Sequence, residues 1–201
     1  MKRKLSTMKR KISYETLPSS SFSHIEPTVF VHSCFEAYGI NTEIKETMRM
    51  QNYFREVTDD RIESYEQEIG AAIRTRDIDS LRLLKKKGKS FEGCNRFGES
   101  FVHLACRRGF TNVVSFLIKE GNASIRVHDD YGRTPLHDAC WSTIPNFELF
   151  DILLDAEPEL LLMKDARGYV PLDYVRKEHW GLWVKYLASR IKKEILRRKV
   201  P

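Results

Sequence analysis

The chain has 201 residues, of which 41% are hydrophobic and 31% charged, with a formal net charge of +6. That length predicts one domain with tails, and no apolar run approaches the ~18 residues of a membrane span. The charge sits at the two ends: residues 1–14 carry +6 and residues 190–199 carry +5, which leaves −5 for residues 15–189. A basic overall balance is therefore a property of the tails, and it does not make the body a nucleic-acid binder.

In chain order, residues 1–27 are basic, Ser-rich and interrupted by Pro18 and Pro27. They read as a disordered tail with no signal-peptide apolar core. Lys-Arg-Lys occurs at 2–4 and again at 9–11; import signal, acidic-surface arm, presequence and solubilising charge all remain open for these clusters. Residues 28–59 are too apolar for a solvated linker, and 42–55 allows a helix with Ile44 and Met48 on one face. This stretch reads as a helical extension that packs on the adjoining domain or docks a partner. Asp60-Arg61-Ile62-Glu63 offers a start for a helix running to about Thr75.

From there a frame repeats. Gly132-Arg133-Thr134-Pro135-Leu136-His137-Asp138-Ala139-Cys140 is a Gly turn, a Thr cap and a Pro at the first helical position. The frame recurs as GESFVHLACRRG at 98–109 and GYVPLDYVRKEHW at 168–180, with the turn glycines 34 and 36 residues apart. Each is followed by a second apolar helical stripe: Val113–Ile118, Phe147–Leu154 and Leu182–Leu187. A weaker unit at 69–90 places Leu81, Leu84 and Gly88 in the frame of Val114, Leu117 and Gly121. Repeats of this length are the mark of a solenoid, whose units bury apolar faces only against neighbours. Charged end units, with Lys85, Lys86 and Lys87 at one end and 188–199 at the other, suit that architecture. A final helix is predicted over about 182–198. Irregular loop 141–146 punctuates the third unit, with Asn146 as a candidate helix cap.

These residues resemble the ankyrin repeat, whose first helix opens with T-P-L-H-x-A. Residues 132–140 match that motif outright. At 98–106, Ser100, His103 and Ala105 match; at 168–176, Pro171 and Leu172 match while Asp173 replaces His. The resemblance spans about 60–190, with units near 60–94, 95–128, 129–164 and 165–190, and a basic tail at 191–201. It implies an all-α solenoid of stacked helix-turn-helix units with short β-turn tips, plus the helical N-terminal extension.

The same resemblance gives His103 and His137 a structural role, bonding turn backbone between units. Cys106 and Cys140 follow them by three residues, but equivalent positions of stacked helices lie about 10 Å apart, too far to share a metal. The irregular spacing of Cys34, Cys94, Cys106 and Cys140 predicts free thiols in a reducing, cytoplasmic or nuclear setting. No nucleophile elbow, phosphate loop or zinc-protease motif occurs, and adjacent His137 and Asp138 do not face one another on a helix. We therefore expect no catalytic residue, no metal, no cofactor, no small-molecule substrate and no membrane contact, in a monomer.

By resemblance, partners bind the tips and the exposed side of the first helices. At the tips stand Arg96, Phe97 and Glu99, then Asp130, Tyr131 and Arg133, then Arg167 and Tyr169. Arg107, Arg108, Trp141 and Lys177 follow the buried stripe toward the concave side. Aromatics beside arginines are the composition of interface hot spots. The expected function is non-catalytic protein recognition by an adaptor or scaffold; the alternative is a regulatory binder of nucleic acid or nuclear complexes through the basic tails.

Overall fold

The computed structural model describes residues 24–40, 43–50 and 52–199, with side chains to residue 193. The basic clusters at 2–4 and 9–11, and the tail expected to be disordered as far as residue 23, lie outside the described residues. The described residues form two compact bodies, one of residues 24–40 with 180–199 and one within residues 43–179.

The first body begins with α1 (Pro27–Ala37), which carries Pro27 at its first helical position, where no hydrogen bond is lost. The second body starts with β1 (Lys45–Glu46) and a 3-10 turn at Thr47–Arg49, then α2 (Asp59–Glu63) and α3 (Gln67–Thr75). Helix pairs follow: α3 with α4 (Ile78–Lys86), α5 (Phe101–Arg107) with α6 (Thr111–Lys119), and α7 (Pro135–Trp141) with α8 (Phe147–Ala156). A 3-10 turn at Pro158–Leu162, β2 (Met163–Lys164), and 3-10 turns at Pro171–Tyr174 and Lys177–His179 complete this body. In the first body, α9 (Trp180–Lys199) packs on α1. Among the described residues, no helix is long and apolar enough to cross a membrane.

The helices are short and sharply started. Ser100 and Asp77 accept backbone N–H bonds from His103 and Ser80 at 3.4 and 2.9 Å, supplying partners for groups a helix start leaves bare. Their second-helix stripes are buried as expected: Leu81 and Leu84, then Val113, Val114 and Leu117, then Leu149, Phe150 and Leu153. Each such side chain contributes ~1.5–3 kcal/mol on leaving water. The mostly helical body of stacked pairs is the predicted architecture.

Three segments depart from expectation. The helix that 42–55 allows is not formed among the described residues of that stretch. β1 instead pairs in parallel with β2, Lys45 opposite Met163 and Glu46 opposite Lys164. Ile44 and Met48, the imagined apolar face, are both exposed, while Thr47 is buried and donates its hydroxyl to the Lys164 carbonyl at 3.2 Å. The helix expected from Asp60 to Thr75 is broken at Ser64–Glu66. The Arg61 carbonyl, which helix continuation would give to Tyr65, accepts instead from the Cys94 N–H at 3.0 Å. The first helix of the last frame is only the 3-10 turn at Pro171–Tyr174, after which Val175 is extended and buried.

Residues 43–50 and 52–57 thus form a strap along the loops that lead into the tips. After β1, Tyr53 donates its hydroxyl to Glu157 at 2.9 Å, and Phe54 meets His128 edge-on at 5.0 Å. The Arg55 N–H then bonds to the Arg126 carbonyl at 2.8 Å. Glu157 also pairs with Arg126 at 2.5 Å. Burial opposes the charge of Glu157, but bonds from Arg126 and Tyr53 outweigh it and hold its carboxyl below the usual range. The strap meets the last loop first and the earlier loops after, running counter to the repeats.

Candidate functional site

Each tip is built by one Asx residue. The side-chain oxygen of Asn95 accepts from the N–H groups of Phe97 and Glu99 at 2.9 and 3.1 Å. Asp129 accepts likewise from Tyr131 and Arg133 at 3.0 and 2.8 Å, and Asp165 from Arg167 and Tyr169 at 2.9 and 3.0 Å. Such side chains mimic a backbone turn. Gly98, Gly132 and Gly168 take φ of +77°, +75° and +87°, which only glycine adopts without strain. The tips are tied edge to edge, because the Asp130 N–H bonds to the Phe97 carbonyl and the Ala166 N–H to the Tyr131 carbonyl, both at 2.8 Å. The Asx positions recur 34 and 36 residues apart in the sequence, a signal the motif-based reading passed over.

Beneath the tips the two histidines link one unit to the next. His103 Nδ1 accepts the Ser100 N–H at 3.1 Å, and His137 Nδ1 accepts the Thr134 N–H at 3.0 Å. The proton must then sit on Nε2. His103 Nε2 donates to the Arg133 carbonyl at 3.0 Å, and His137 Nε2 to the Tyr169 carbonyl at 3.1 Å. Both rings are buried. Burial lowers the His103 pKa and brings that of His137 down to about 4. In the last frame Asp173 makes the first of these bonds, accepting from the Val170 N–H at 2.8 Å, but a carboxylate has no proton to pass onward.

The structure sorts the twelve predicted contact residues. Phe97, Tyr131, Trp141 and Tyr169 hold their places at the surface, from 46% exposed for Trp141 to 50% for Tyr169. The Arg96 guanidinium lies over Phe97 at 4.8 Å and that of Arg167 over Tyr131 at 5.5 Å, distances at which a cation is drawn to a ring face. Arg108, Asp130 and Lys177 are exposed. Three others are engaged by partners within the molecule, although the Arg107 side chain stays 44% exposed. Arg107 spans to the next unit, reaching both carboxylate oxygens of buried Asp138 at 3.3 and 3.1 Å and pairing with Glu99. Burial pushes the Asp138 carboxyl up, against the pull of His103 and Arg107. The Arg133 side chain is only 21% exposed and holds Asp129, with its guanidinium 5.2 Å from the Tyr131 ring. These three shape the tips from within.

Two residues that the sequence did not single out complete the surface. Tyr174 and Arg176 join Trp141, Arg167, Tyr169 and Asp173 around an open pocket of about 430 Å³. Trp141 and Tyr174 lie 5.4 Å apart at 32°, and Tyr174 donates its hydroxyl to Asp165 at 2.5 Å. Burial, followed by that bond to Asp165, raises its pKa above the ordinary range. Cys106 and Cys140 are fully buried free thiols, their pKa values raised well above the ordinary range by desolvation. Among the described residues no group of three or more His, Cys, Asp or Glu is arranged to hold a metal ion.

Comparison with known proteins agrees with this geometry. A family model described as ankyrin repeats matches residues 69–164 in three copies. An ankyrin repeat-containing protein of Caenorhabditis elegans is 44% identical over 48 residues, which span 23% of this chain and 4% of that protein. The probable 26S proteasome regulatory subunit p28 of Saccharomyces cerevisiae is 30% identical over 84 residues, 42% of this chain and 36% of p28. The chain therefore aligns with about a third of one relative and a small part of the other. Residues 69–164 of this chain are thus identified as ankyrin repeats, in three copies.

Proposed function

We propose that this protein is a non-catalytic adaptor or scaffold that grips another protein with its turn tips and the exposed side of its first helices. The observation that carries the reading is the row of half-exposed aromatics, Phe97, Tyr131, Trp141 and Tyr169, on backbone already fixed by Asx turns and tip-to-tip bonds. Large apolar side chains on a surface mark interaction sites when they cluster, and a preformed surface lowers the ordering cost of binding. Arg96, Arg108, Asp130, Arg167 and Lys177 would frame those anchors, while Arg107, Glu99 and Arg133 hold them in register. The buried free thiols support a reducing compartment, cytoplasmic or nuclear. The similarity to a proteasome regulatory subunit makes the 26S proteasome the first partner to test.

The test is co-purification from cells with Phe97, Tyr131 and Tyr169 changed together to Ala. The folded triple variant is expected to lose partners that the parent retains. A folded variant that keeps every partner would overturn the reading.

A further inference from the structure

The pocket between the last two frames has a chemistry of its own. Its depth follows from the shortened frame. α5 and α7 each run for seven residues, but the chain after Tyr174 turns into extended backbone. The helical turn that would pack beside Trp141 is missing, and the Trp141 ring is left facing open space. Tyr169 closes the wall, edge-on to Tyr174 at 6.2 Å. Tyr174 cannot swing away, since Asp165 holds its hydroxyl and His137 meets its ring edge-on at 5.5 Å. The cleft is thus preshaped, rigid and aromatic on three sides.

Its charges select among guests. Arg167 has no carboxylate partner among the described residues; it rests on Tyr131. Arg176 reaches Glu178 only at 3.9 Å, with both side chains well exposed, a pair of little strength. The one carboxylate lining the pocket, Asp173, already accepts the Val170 N–H. Two guanidinium groups at the rim of an aromatic cleft disfavour a cationic guest, although the rings alone would welcome one. They favour a carboxylate, which the planar guanidinium meets with two parallel bonds. A polynucleotide suits the site less well. It carries a charge at every phosphate and needs a track of cations, whereas these two arginines stand on a body whose residues 15–189 sum to −5.

We propose that the pocket of Trp141, Tyr169 and Tyr174 receives a bulky apolar side chain of a partner peptide, with aspartate or glutamate beside that anchor held by Arg167 and Arg176. This rests on the reading of the tip face as a protein-binding surface and specifies its partner's chemistry. A volume of about 430 Å³ is at the small end of ligand-sized clefts, suited to one anchor residue with its flanks.

The full chain is titrated, by fluorescence anisotropy, against short labelled peptides with a central Trp flanked by Glu, by Lys or by Ser. A Glu-flanked peptide with central Ser and a single-stranded oligonucleotide complete the panel. The Glu-flanked Trp peptide is expected to bind about tenfold more tightly than the Ser-flanked one, a free-energy difference of ~1.4 kcal/mol. Trp141→Ala should abolish that margin. The double variant Arg167→Glu/Arg176→Glu alters only exposed groups, and it should transfer the preference to the Lys-flanked peptide. Equal binding of Glu- and Lys-flanked peptides, tighter binding of the oligonucleotide, no dependence on the central Trp, or an unchanged order in the charge-reversed variant would each overturn the proposal. Phe97→Ala/Arg108→Ala, which alters two surface residues that are not among the pocket's lining and leaves the Tyr131 ring under Arg167, separates the two levels. If the panel fails while that variant loses a co-purifying partner, the pocket chemistry falls and the tip surface stands; if the variant also loses nothing, both fall.

Discussion

His137 Nε2 donates its proton to the carbonyl of Tyr169, 3.1 Å away at the tip of the following unit, while its Nδ1 accepts the Thr134 N–H at 3.0 Å. Only the neutral ring with its proton on Nε2 satisfies both. Protonation would place a second donor against an N–H in a buried site. The folded-state pKa near 4 lies below the ordinary value of about 6.5. The unfolded chain therefore binds the proton more readily, and stability falls as pH drops through that window. It is fully present above pH ~6.5 and lost progressively toward pH ~4, by at most ~3 kcal/mol for this residue. His103 shifts in the same direction, whereas Asp138, pushed up by burial, works in the opposite sense at the acid end. Denaturant unfolding between pH 7 and 4.5 should show the loss, and His137→Gln should flatten it. A flat profile in the parent would contradict the buried neutral ring.

Arg107 gives the clearest case of a surface arginine with an internal duty. Its two-point contact with Asp138 crosses from one unit to the next. Removing the cation strands a buried carboxylate. Arg107→Met is expected to cost about 2 kcal/mol, below the ~3–5 kcal/mol of a fully buried pair because Arg107 itself keeps contact with water. Arg108→Ala, one residue on and exposed, should stay within ~0.5 kcal/mol. Asp138→Asn in the Arg107→Met background should recover part of the loss, since a neutral amide is cheaper to bury than a lone charge. Equal stability of the two arginine variants by urea denaturation would remove the clamp.

How much of this was legible beforehand depended on whether a residue's partners were local. The turn glycines, Thr-Pro helix start, leucine stripes and Asn146 cap are satisfied within a few residues or by the repeat itself, and they read true. Arg107 and Glu99 look like interface residues in a linear reading, because nothing local reveals that Arg107 pairs with Glu99 and with buried Asp138 of the next unit; Arg133 does have its partner, Asp129, only four residues away. The strap is the larger miss. Ile44 and Met48 stand four apart and suggest a helical face, but a two-residue β pairing with Met163–Lys164 decides the conformation, and that partner lies more than a hundred positions away. The pocket was half visible. Trp141, Arg167 and Tyr169 stood out by composition, whereas Tyr174 and Arg176 enter it only because the last frame makes a 3-10 turn in place of a helix.

The strap can be weighed with two glycines that share a conformation. Gly132 and Gly168 both have strongly positive φ, but a Cβ on Gly168 meets nothing within 4 Å, while one on Gly132 would press into Thr47 and Met48. Gly168→Ala should therefore cost only the backbone term, ~1–2 kcal/mol for a left-handed L-residue. Gly132→Ala should cost more, by about 1 kcal/mol or above, the increment reporting displacement of the strap. Amide hydrogen exchange would show where the increment goes, with Gly132→Ala raising exchange in residues 45–49 and Gly168→Ala leaving it unchanged. Equal costs and equal exchange would mean that the strap bears no weight on that tip.

Asn146 carries the last prediction, because one side chain does two separable jobs. Its Oδ1 accepts the Leu149 N–H at 3.1 Å and starts α8. Its Nδ2 donates to the Gly109 carbonyl at 3.1 Å and to Thr111 Oγ1 at 2.9 Å, both in the preceding unit. Asn146→Asp keeps the acceptor for the cap and deletes the two donations; Asn146→Ala deletes everything. Loss of a cap costs ~1 kcal/mol, and each hydrogen bond contributes ~0.5–1.5 kcal/mol. The Ala variant should therefore lose about 2 kcal/mol or more by urea denaturation, with the Asp variant between it and the parent. The remainder after Asp is the cap; the loss already present in Asp is the link between units. An Asp variant as stable as the parent would show that the bonds to Gly109 and Thr111 contribute nothing to the stacking of the two units.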